Sequence, residues 1–573
     1  MKIAIVVQRY GADINGGAEQ HARYVAEHLA KHVKVEVLTT CAHRDYISWK
    51  NEYPPGLEVI HGVPVHRFPV AVERDPVEFG KWSKKVFTER HSLGDELAWL
   101  ESEGPTSPAL IEHIRAHEAD YDFFIFFSFR YHHSYHGCRA VASKAILVPT
   151  AERDGALGLG IYPPIFRGVR GVMYNSLEER ALIQGVSNNQ SVPGVVVGVG
   201  SDIPERSNGG RFRQKFDMRD RFAIYVGRID ENKGCAELFN FFEHYSASLV
   251  DGMHLVLIGT PHIPIPKHPR IHHLGFLEDQ DKYDAMAAAE VLIMPSYLES
   301  LSMVALEAWA MGKPVLANAK CDVLQGQCLR SNAGLFYADY PEFAETMRAI
   351  DTTPSLQAAL GRNGRAFFEK HYAWPVIEKK YVDMLNQLSK ESAPARMEAA
   401  PGWFTRRRKS QPPADDVVKK LPVGAYNEKT AAPLSASSSQ RSAPHAASRP
   451  QSQRPEPAPR RDQGNWRQRQ APAAESRPPR AESRQPRAES RPPTADSRAP
   501  KADSQPRADS RQPKADGRQP RADGRQPKAG GQPRPTDRAP IDSAQGRRDQ
   551  QRRGRGHRRG RRPGGGGGGG NRS

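Results

Sequence analysis

One stretch of the sequence, residues 291–316, limits the possible fold more than any other; it reads VLIMPSYLESLSMVALEAWAMGKPVL. An apolar run over residues 291–294 ends at Pro295, and a helical pattern begins near Ser302 and ends at Gly312, shortly before a proline. The pattern predicts a buried strand, a loop and a helix. Repeated along a chain, such units give a parallel sheet that is covered by helices on both faces.

Two carboxylates flank the start of this helix. Glu299 lies in the loop, and Glu307 lies eight positions later on the helix. The free N–H groups of a helix start, here near Leu301 and Ser302, form a ready site for phosphate. Because a carboxylate would repel phosphate, we interpret both glutamates as partners of sugar and ribose hydroxyls. The alternative is that Glu299 is a helix N-terminal charge and Glu307 a solvated one.

A pair of cations follows another predicted strand, residues 222–226. Arg228 comes just after this strand, and Lys233 precedes Gly234 and a further helix. Two cations five residues apart at the carboxyl edge of a sheet suit a diphosphate, because they can neutralise a leaving group without a metal. Two solvated loop charges are the alternative.

The first loop of the chain contains a second helix start of this kind. Residues 2–7 predict a buried strand, and Gly16 and Gly17 directly precede the helical run AEQHARYVAEHLA. Paired glycines let the backbone come close to an anion at a helix N-terminus. They also serve the tight first turn of any doubly wound domain, so this alternative stays open. His21 falls in the same helix, where we expect a surface position.

Further short strands alternate with helical patterns through residue 390, which predicts parallel sheets in an α/β protein. The predicted strands cover residues 33–39, 62–68, 123–127, 145–148, 171–174, 192–197, 254–259, 270–274, 314–317 and 334–336.

The spacing Glu299-x7-Glu307, within ESLSMVALEAWAMGKPV, resembles the Glu-x7-Glu signature of the retaining glycosyltransferases of family 4. The resemblance implies the α/β fold called GT-B, in which two Rossmann-like, doubly wound domains face a cleft. We expect the acceptor-side domain at residues 1–200 and the nucleotide-sugar-binding domain at residues 201–390. Tyr372 and Trp374 resemble the motif that precedes a helix crossing back to the first domain.

The resemblance also implies roles for individual residues. The first glutamate, here Glu299, holds donor-sugar hydroxyls, and the second, here Glu307, holds the ribose. Gly16, Gly17 and Glu19 match an element that faces the donor phosphate and the acceptor. The cations matching Arg228 and Lys233 bind the diphosphate in family members.

One element departs from the family pattern. The segment ILVPTAERDGAL, residues 146–157, resembles a stretch that usually reads near Pro-Thr-Ala-His-Asp-Glu, in which the histidine contacts the donor sugar. Glu152 and Arg153 stand in place of the histidine and aspartate. Glu152 is therefore a candidate sugar contact, and donor specificity does not transfer from the family.

The expected activity is that of a hexosyltransferase, which transfers a sugar from a nucleotide diphosphate donor with retention at the anomeric carbon. By analogy we favour mannose or glucose, placed on a glycan or lipid-linked acceptor in bacterial lipopolysaccharide or polysaccharide biosynthesis. The resemblance implies front-face attack, with no cofactor and no metal. Two alternatives remain: a nucleotide-sugar epimerase of the same fold, and a non-catalytic anion-binding scaffold that acts through its tail.

The sequence argues against a metal centre and against membrane insertion. His132, His133 and His136 include an i, i+4 pair, but no acidic or cysteine partner stands at a suggestive spacing. The five cysteines show no CxxC spacing, which suits a reducing compartment. The apolar run near the N-terminus is too short for a signal peptide, and no stretch of about 18 apolar residues occurs. We therefore expect a cytoplasmic protein.

From Glu391 the composition changes sharply. Residues 391–573 contain 41 Lys and Arg against 18 Asp and Glu, whereas residues 1–390 contain 42 against 47. The tail is rich in Pro, Arg, Ala, Ser, Gln and Gly, so we expect disorder over residues 391–573. An imperfect seven-residue repeat over residues 474–528 has a proline in every copy, which excludes a coiled coil.

The basic tail predicts an anionic partner. We favour the inner face of the cytoplasmic membrane, where the enzyme would be peripheral and lipid-linked acceptors would lie. RNA is less favoured, because Trp466 is the only aromatic residue after Tyr426 that could stack on bases. A solubilising tail without a specific partner is the alternative.

Overall fold

The structure, a computed structural model, describes residues 1–44, 47–392, 397–400, 402–408 and 410–426. Its first sheet has eight strands in the order β3-β4-β2-β1-β6-β7-β8-β9. The strands of this part of the chain are β1 (Lys2–Val6), β2 (Lys34–Thr40), β3 (Gly56–Ile60), β4 (Val63–Phe68), the separate β5 (His91–Ser92), β6 (Phe123–Phe127), β7 (Ala145–Val148), β8 (Gly171–Tyr174) and β9 (Gly194–Val196).

The centre of this sheet is parallel and buried on both faces. β1 pairs with β2 on one side and with β6 on the other, and Ile3, Ala4, Ile5 and Val6 are all fully buried. Covering helices lie on the two faces: α1 (Gly17–Leu29), α2 (Pro76–Thr88), α3 (Leu93–Glu103), α4 (Pro108–Ala116), α5 (His132–Ala140), α6 (Pro163–Gly168) and α7 (Leu177–Ser187).

The edge strand β3 is not predicted from the sequence. It pairs antiparallel with β4, and its Leu57 and Val59 are exposed. An edge strand that is solvated on both faces lacks the buried apolar run by which its neighbours are recognised. The other strands predicted for this sheet are present.

The second sheet has six parallel strands in the order β12-β11-β10-β13-β14-β15. They are β10 (Phe222–Val226), β11 (His254–Ile258), β12 (Ile271–His273), β13 (Val291–Met294), β14 (Val315–Asn318) and β15 (Gly334–Tyr337). The accompanying helices are α8 (Gly209–Lys215), α9 (Cys235–Ala247), α10 (Asp279–Ala288), α11 (Met303–Ala310), α12 (Asp322–Ser331), α13 (Tyr340–Thr352) and α14 (Pro354–His371). Each strand that the sequence predicts for this sheet is present.

The helix α15 (Trp374–Lys390) returns to the first sheet, as its opening motif predicts. Trp374 stacks on His28 of α1, with ring centroids 3.5 Å apart. Arg170, next to β8, donates to the Leu388 carbonyl oxygen at 2.7 Å. The last long helix therefore packs on the domain in which the chain begins.

The prediction of disorder from Glu391 is wrong for residues 402–408 and 410–426. This segment forms α16 (Trp403–Arg408), β16 (Ser410–Gln411) and α17 (Ala414–Val418), and β16 pairs antiparallel with β5. Ala414, Val418 and Leu421 join the apolar cluster beneath the first sheet, so this part of the tail has the apolar surface that its average composition hides. We call residues 410–426 the strap. Residues 427–573, with the repeat and the basic terminus, lie outside the described residues.

None of the helices in the described part of the chain has both the length and the apolar character that crossing a membrane would require.

Candidate active site

The loops after β10 and β13 bring a predicted cation and a predicted carboxylate together. β10 and β13 are parallel neighbours, so their carboxyl ends lie at the same edge of the second sheet. Lys233 Nζ donates to Glu299 Oε1 at 2.7 Å. Their side chains are 26% and 10% exposed, so the ion pair is largely enclosed but reachable from solvent.

Gly234 permits this close approach of the two loops. Its φ is 72°, in the left-handed region that glycine occupies without steric cost. A Cβ at this position would collide with the Pro295 carbonyl oxygen. The glycine therefore lets the loop after β10 pack directly on the loop after β13, which places Lys233 beside Glu299.

Asp230 contacts both predicted cations. Its Oδ1 accepts the backbone N–H of Lys233 at 2.8 Å, and its Oδ2 lies 3.5 Å from the NH2 atom of Arg228. The sequence analysis did not single out Asp230, because an aspartate in a polar loop has no distinguishing pattern. Arg228 and Lys233 therefore share the carboxylate of Asp230.

Glu152 reaches the same place from the first sheet, in the loop after β7. Burial raises its pKa to about 7, against the attraction of Lys233 and with the help of Glu299. Burial alone would lower the pKa of Lys233, but the charges of Glu299 and Glu152 raise it above its usual value. The charges of Glu152, Lys233 and Glu299 thus act on one another.

A buried carboxyl group holds the loop that carries Glu152. Glu179 Oε1 accepts the N–H of Ala151 at 2.6 Å, and Glu179 Oε2 accepts the N–H of Asn175. Burial raises the pKa of Glu179 to about 8. Glu179 lies in the first turn of α7, where a solvated acidic residue is usual, and sequence reasoning therefore missed it.

Arg153, which stands where the family has an aspartate, ties the same loop to the second domain. It donates to Asp322 Oδ2 at 2.7 Å and to the Leu421 carbonyl oxygen of the strap at 3.4 Å. The guanidinium of Arg153 thus helps to hold the strap.

We expect Glu152→Gln to change how stability depends on pH. A carboxyl whose pKa is raised on folding favours the protonated form, so it destabilises the protein as pH rises from about 4.5 through 7. The variant should lose this dependence and be more stable than the wild type at pH 8 by about 1–3 kcal/mol. Urea unfolding of both proteins at pH 5 and pH 8 measures the difference in stability. If the stability of the two proteins changed with pH to the same extent, this prediction would be wrong.

Glu307 is nearly completely buried on α11. Its Oε1 accepts from the Tyr283 hydroxyl at 3.0 Å and from Lys282 Nζ at 3.3 Å. Its Oε2 is buried and has no hydrogen-bond partner within the described part of the chain. A buried oxygen in this state costs about 1–3 kcal/mol, which a hydroxyl donor would recover. Tyr283 and Lys282, on α10, were not identified from the sequence.

The start of α11 lies in the loop that carries Glu299. Ser302 is the N-cap, and its Oγ accepts the N–H of Ala305 at 3.3 Å. Leu301 and Ser302 are both buried. The N-cap of the helix therefore lies three residues after Glu299. The first free N–H groups of the helix are available to bind an anion at this helix start.

The glycine pair in the first loop lies where α1 begins. Gly16 is the N-cap of α1, and Gly17 is its first residue. Glu19 does not reach into open space: its Oε1 accepts from Arg9 Nε at 2.9 Å and from Arg9 NH2 at 2.7 Å. Glu19 therefore holds Arg9, and a further role facing a ligand stays a prediction.

His21 is buried, so the expectation of a surface position is wrong. Its ring packs edge-on against Phe127, with centroids 5.1 Å apart. Burial lowers its pKa to about 3, although a hydrogen bond to the Gly198 backbone opposes this. The link between the two sheets covers this face of α1, a long-range contact that helical periodicity does not report.

Comparison with known proteins relates the middle of the chain to a protein family. Residues 210–367 match the family model described as Glycosyl transferases group 1. The GDP-mannose-dependent monoacylated alpha-(1-6)-phosphatidylinositol monomannoside mannosyltransferase of Corynebacterium glutamicum is 28% identical over 122 residues, which cover 20% of this chain and 32% of that protein. The putative teichuronic acid biosynthesis glycosyltransferase TuaC of Bacillus subtilis is 25% identical over 195 residues, 31% of this chain and 49% of that protein. The matches thus span less than half of these relatives.

A solved structure resembles a larger part of the chain. Sucrose-phosphate synthase from Thermosynechococcus elongatus superposes with a TM-score of 0.52 at 17% sequence identity, and the match covers 68% of this chain and 98% of that chain. At this identity the likeness concerns the fold alone.

Proposed function

We propose that the protein is a retaining glycosyltransferase of family 4, because residues 210–367 match the family model described as Glycosyl transferases group 1 and the two-sheet fold is of the GT-B kind. As a hexosyltransferase it would move a sugar from a nucleotide diphosphate donor to an acceptor. The observation that carries the proposal is the ion pair between Lys233 and Glu299 at the carboxyl edge of the second sheet, whose charges also act on Glu152.

Departure of the nucleotide diphosphate is the step for which this site is best suited. Arg228 and Lys233 can neutralise the charge that develops on the diphosphate, together with the N–H groups at the start of α11. Asp230 holds the Lys233 backbone before any ligand arrives. A group that is oriented in advance stabilises developing charge without reorganisation at the moment of reaction.

The carboxylates would orient the donor. Glu299 fixes the hydroxyls of the sugar, and Glu307 offers its buried Oε2 to the ribose. The ammonium of Lys233 would contact both the diphosphate and Glu299. It would therefore link the leaving group to the residue that holds the sugar. Tyr283 and Lys282 keep Glu307 in place through its other oxygen.

The acceptor proton needs no separate base in this scheme. In front-face attack, the departing phosphate oxygen can take the proton as the new glycosidic bond forms. Glu152, with its pKa raised to about 7, is protonated often enough at neutral pH to donate a hydrogen bond to the sugar. Since fixed cations neutralise the diphosphate, we expect transfer to need no cofactor and to survive chelators.

For the donor sugar we favour mannose, with glucose second. The Corynebacterium relative is named as GDP-mannose-dependent, and the Bacillus relative is named for teichuronic acid biosynthesis. Both names support a cell-surface glycan or a lipid-linked acceptor, such as an intermediate of bacterial polysaccharide or lipopolysaccharide biosynthesis. We expect the enzyme in the cytoplasm, with its basic tail on the anionic inner face of the membrane.

A melting-temperature screen against UDP-, GDP- and ADP-sugars tests donor binding, because a ligand that binds only the native state raises the melting temperature. A donor at about 100 times its Kd should stabilise the protein by about 2.7 kcal/mol. Glu307→Gln should weaken the shift with the nucleotide sugar and with the plain nucleoside diphosphate. Glu299→Gln should weaken only the additional shift that the sugar provides.

The same donors test the reaction itself. Transfer of the sugar to a glycan or lipid acceptor with an unchanged anomeric configuration, read by NMR, would support the proposal. A new sugar isomer formed from the donor alone would instead identify an epimerase. Donor binding without transfer or hydrolysis across the panel would favour the non-catalytic scaffold.

A further inference from the structure

Two histidines and a carboxylate converge on the surface of the first domain, away from the candidate active site. His132 and His136 lie on one face of α5, and Glu101 lies in the last turn of α3. Each offers one ligand atom, and these atoms all lie within 4.8 Å of one another. We propose that Glu101, His132 and His136 form a structural site for a divalent transition-metal ion of the Zn²⁺ class.

The separations match those of ligands around one small ion. His136 Nε2 lies 3.1 Å from Glu101 Oε1, and His132 Nε2 lies 3.7 Å from Glu101 Oε2. Tetrahedral coordination with bonds of about 2.0–2.2 Å places neighbouring ligand atoms about 3.3–3.5 Å apart. The two distances involve different oxygens of Glu101, and one ligand atom from each residue lies within 4.8 Å of the others, so modest side-chain movements would bring the three atoms to three corners of a tetrahedron.

Hydrogen bonding alone does not account for the position of His132. Its Nε2 is too far from Glu101 for a hydrogen bond, and its buried Nδ1 has no partner among the described residues. Either neutral tautomer therefore leaves one ring nitrogen poorly satisfied. A cation on Nε2 would satisfy that atom and would also attract the carboxylate of Glu101.

The donor set also selects the kind of ion. Two imidazole nitrogens and one carboxylate oxygen suit Zn²⁺ and its neighbours in the transition series better than Mg²⁺ or Ca²⁺, which prefer oxygen. Glu101 and His136 have side chains that are 51% and 30% exposed, so an ion can enter and a water can complete the coordination. His133 takes no part, because its Nε2 is engaged with the Phe127 carbonyl oxygen at 2.9 Å.

The ion would link helices α3 and α5 of the first domain. Arg130, two residues before His132, bridges Glu103 at 2.8 Å and Asp154 at 2.7 Å. Asp154 in turn caps the turn that follows Glu152. Metal ligation would therefore fix α3 against α5 behind the loop that carries Glu152, without contacting the donor, and this role does not depend on the proposed transferase activity.

The test is a titration of the full chain with Zn²⁺ by calorimetry and with Co²⁺ by visible absorption. We expect one equivalent to bind, with tetrahedral-type Co²⁺ absorption and a higher melting temperature. Glu101→Gln and His136→Gln should each weaken binding at least about 10-fold, the usual lower limit for loss of a group that supports a metal site. Both residues are partly exposed, so the variants should fold.

His117→Gln is the matched control. His113 on α4 and His117, the C-cap of that helix, are also an i, i+4 pair, with ring centroids 4.0 Å apart, but no third ligand completes a set there among the described residues. This variant should bind Zn²⁺ like the wild type. Absence of saturable binding would overturn the proposal, and so would equal binding by Glu101→Gln, His136→Gln and the wild type.

Discussion

Lys233→Ala is expected to lower the rate of sugar transfer by about 10²–10³-fold or more, the cost of removing one preorganised group that stabilises developing charge. The substitution deletes the ammonium that contacts Glu299 at 2.7 Å and that would neutralise the departing diphosphate. The side chain is partly exposed, so the fold should persist. Initial rates at saturating donor, compared with the melting temperature, separate loss of chemistry from loss of structure.

Lys215→Ala is the matched control for this prediction. Lys215 lies on α8 of the same domain and forms an ion pair with Asp281 at the same distance, 2.7 Å, but both residues lie on helices and not in the loops after β10 and β13. We expect its transfer rate to stay within about twofold of the wild type, since exposed ion pairs contribute about 0–1 kcal/mol. Normal turnover by Lys233→Ala would show that Lys233 takes no part in the reaction.

The part of the site that could be predicted consists of residues on elements that follow one another along the chain. Strand, loop and helix follow one another in the sequence, and parallel strands bring their carboxyl ends to one edge. Lys233 and Glu299 could therefore be assigned to neighbouring loops before any distance was known. The glycine at 234, which lets those loops touch, is visible in the sequence, but its contact with Pro295 is not.

The parts that could not be predicted depend on contacts between distant segments. Tyr283 holds Glu307 from another helix, and Glu179 supports the loop after β7 from a helix start that looks solvated. His21 has the pattern of a surface residue but is covered by the link between the sheets. The carboxylate that faces His132 comes from α3, at a separation that no spacing rule covers.

The strap was missed for a different reason, namely that the composition was averaged over the whole tail. Residues 391–573 as a whole are polar and rich in proline, but the few apolar side chains of the tail are concentrated before residue 427. Val418 and Leu421 are buried, and the strap backbone also bonds to both domains. The Gly424 N–H donates to Asp322 Oδ1 at 2.9 Å, and the Tyr426 N–H donates to Glu178 Oε1 at 3.1 Å.

A chain ended after residue 400 should therefore be less stable than a chain ended after residue 426, by about 2–5 kcal/mol. Each buried Val or Leu side chain contributes about 1.5–3 kcal/mol, and this gain is partly offset by the entropy of ordering the segment. The shorter chain also lacks the strap N–H groups that donate hydrogen bonds to Glu178 and Asp322. Urea unfolding of both truncated chains and of the full chain measures the effect, and we expect the chain ended after 426 to match the full one.

Two substitutions in the full chain distinguish packing from length. Leu421→Asp places a charge at a side chain that is 7% exposed, whereas Val423→Asp changes one that is 69% exposed. The first should destabilise nearly as much as the truncation, because a buried charge without a partner is costly, and the second should have almost no effect. If both substitutions left the unfolding midpoint unchanged, the strap would merely lie on the surface, and the assignment of residues 410–426 to the folded enzyme would have to be abandoned.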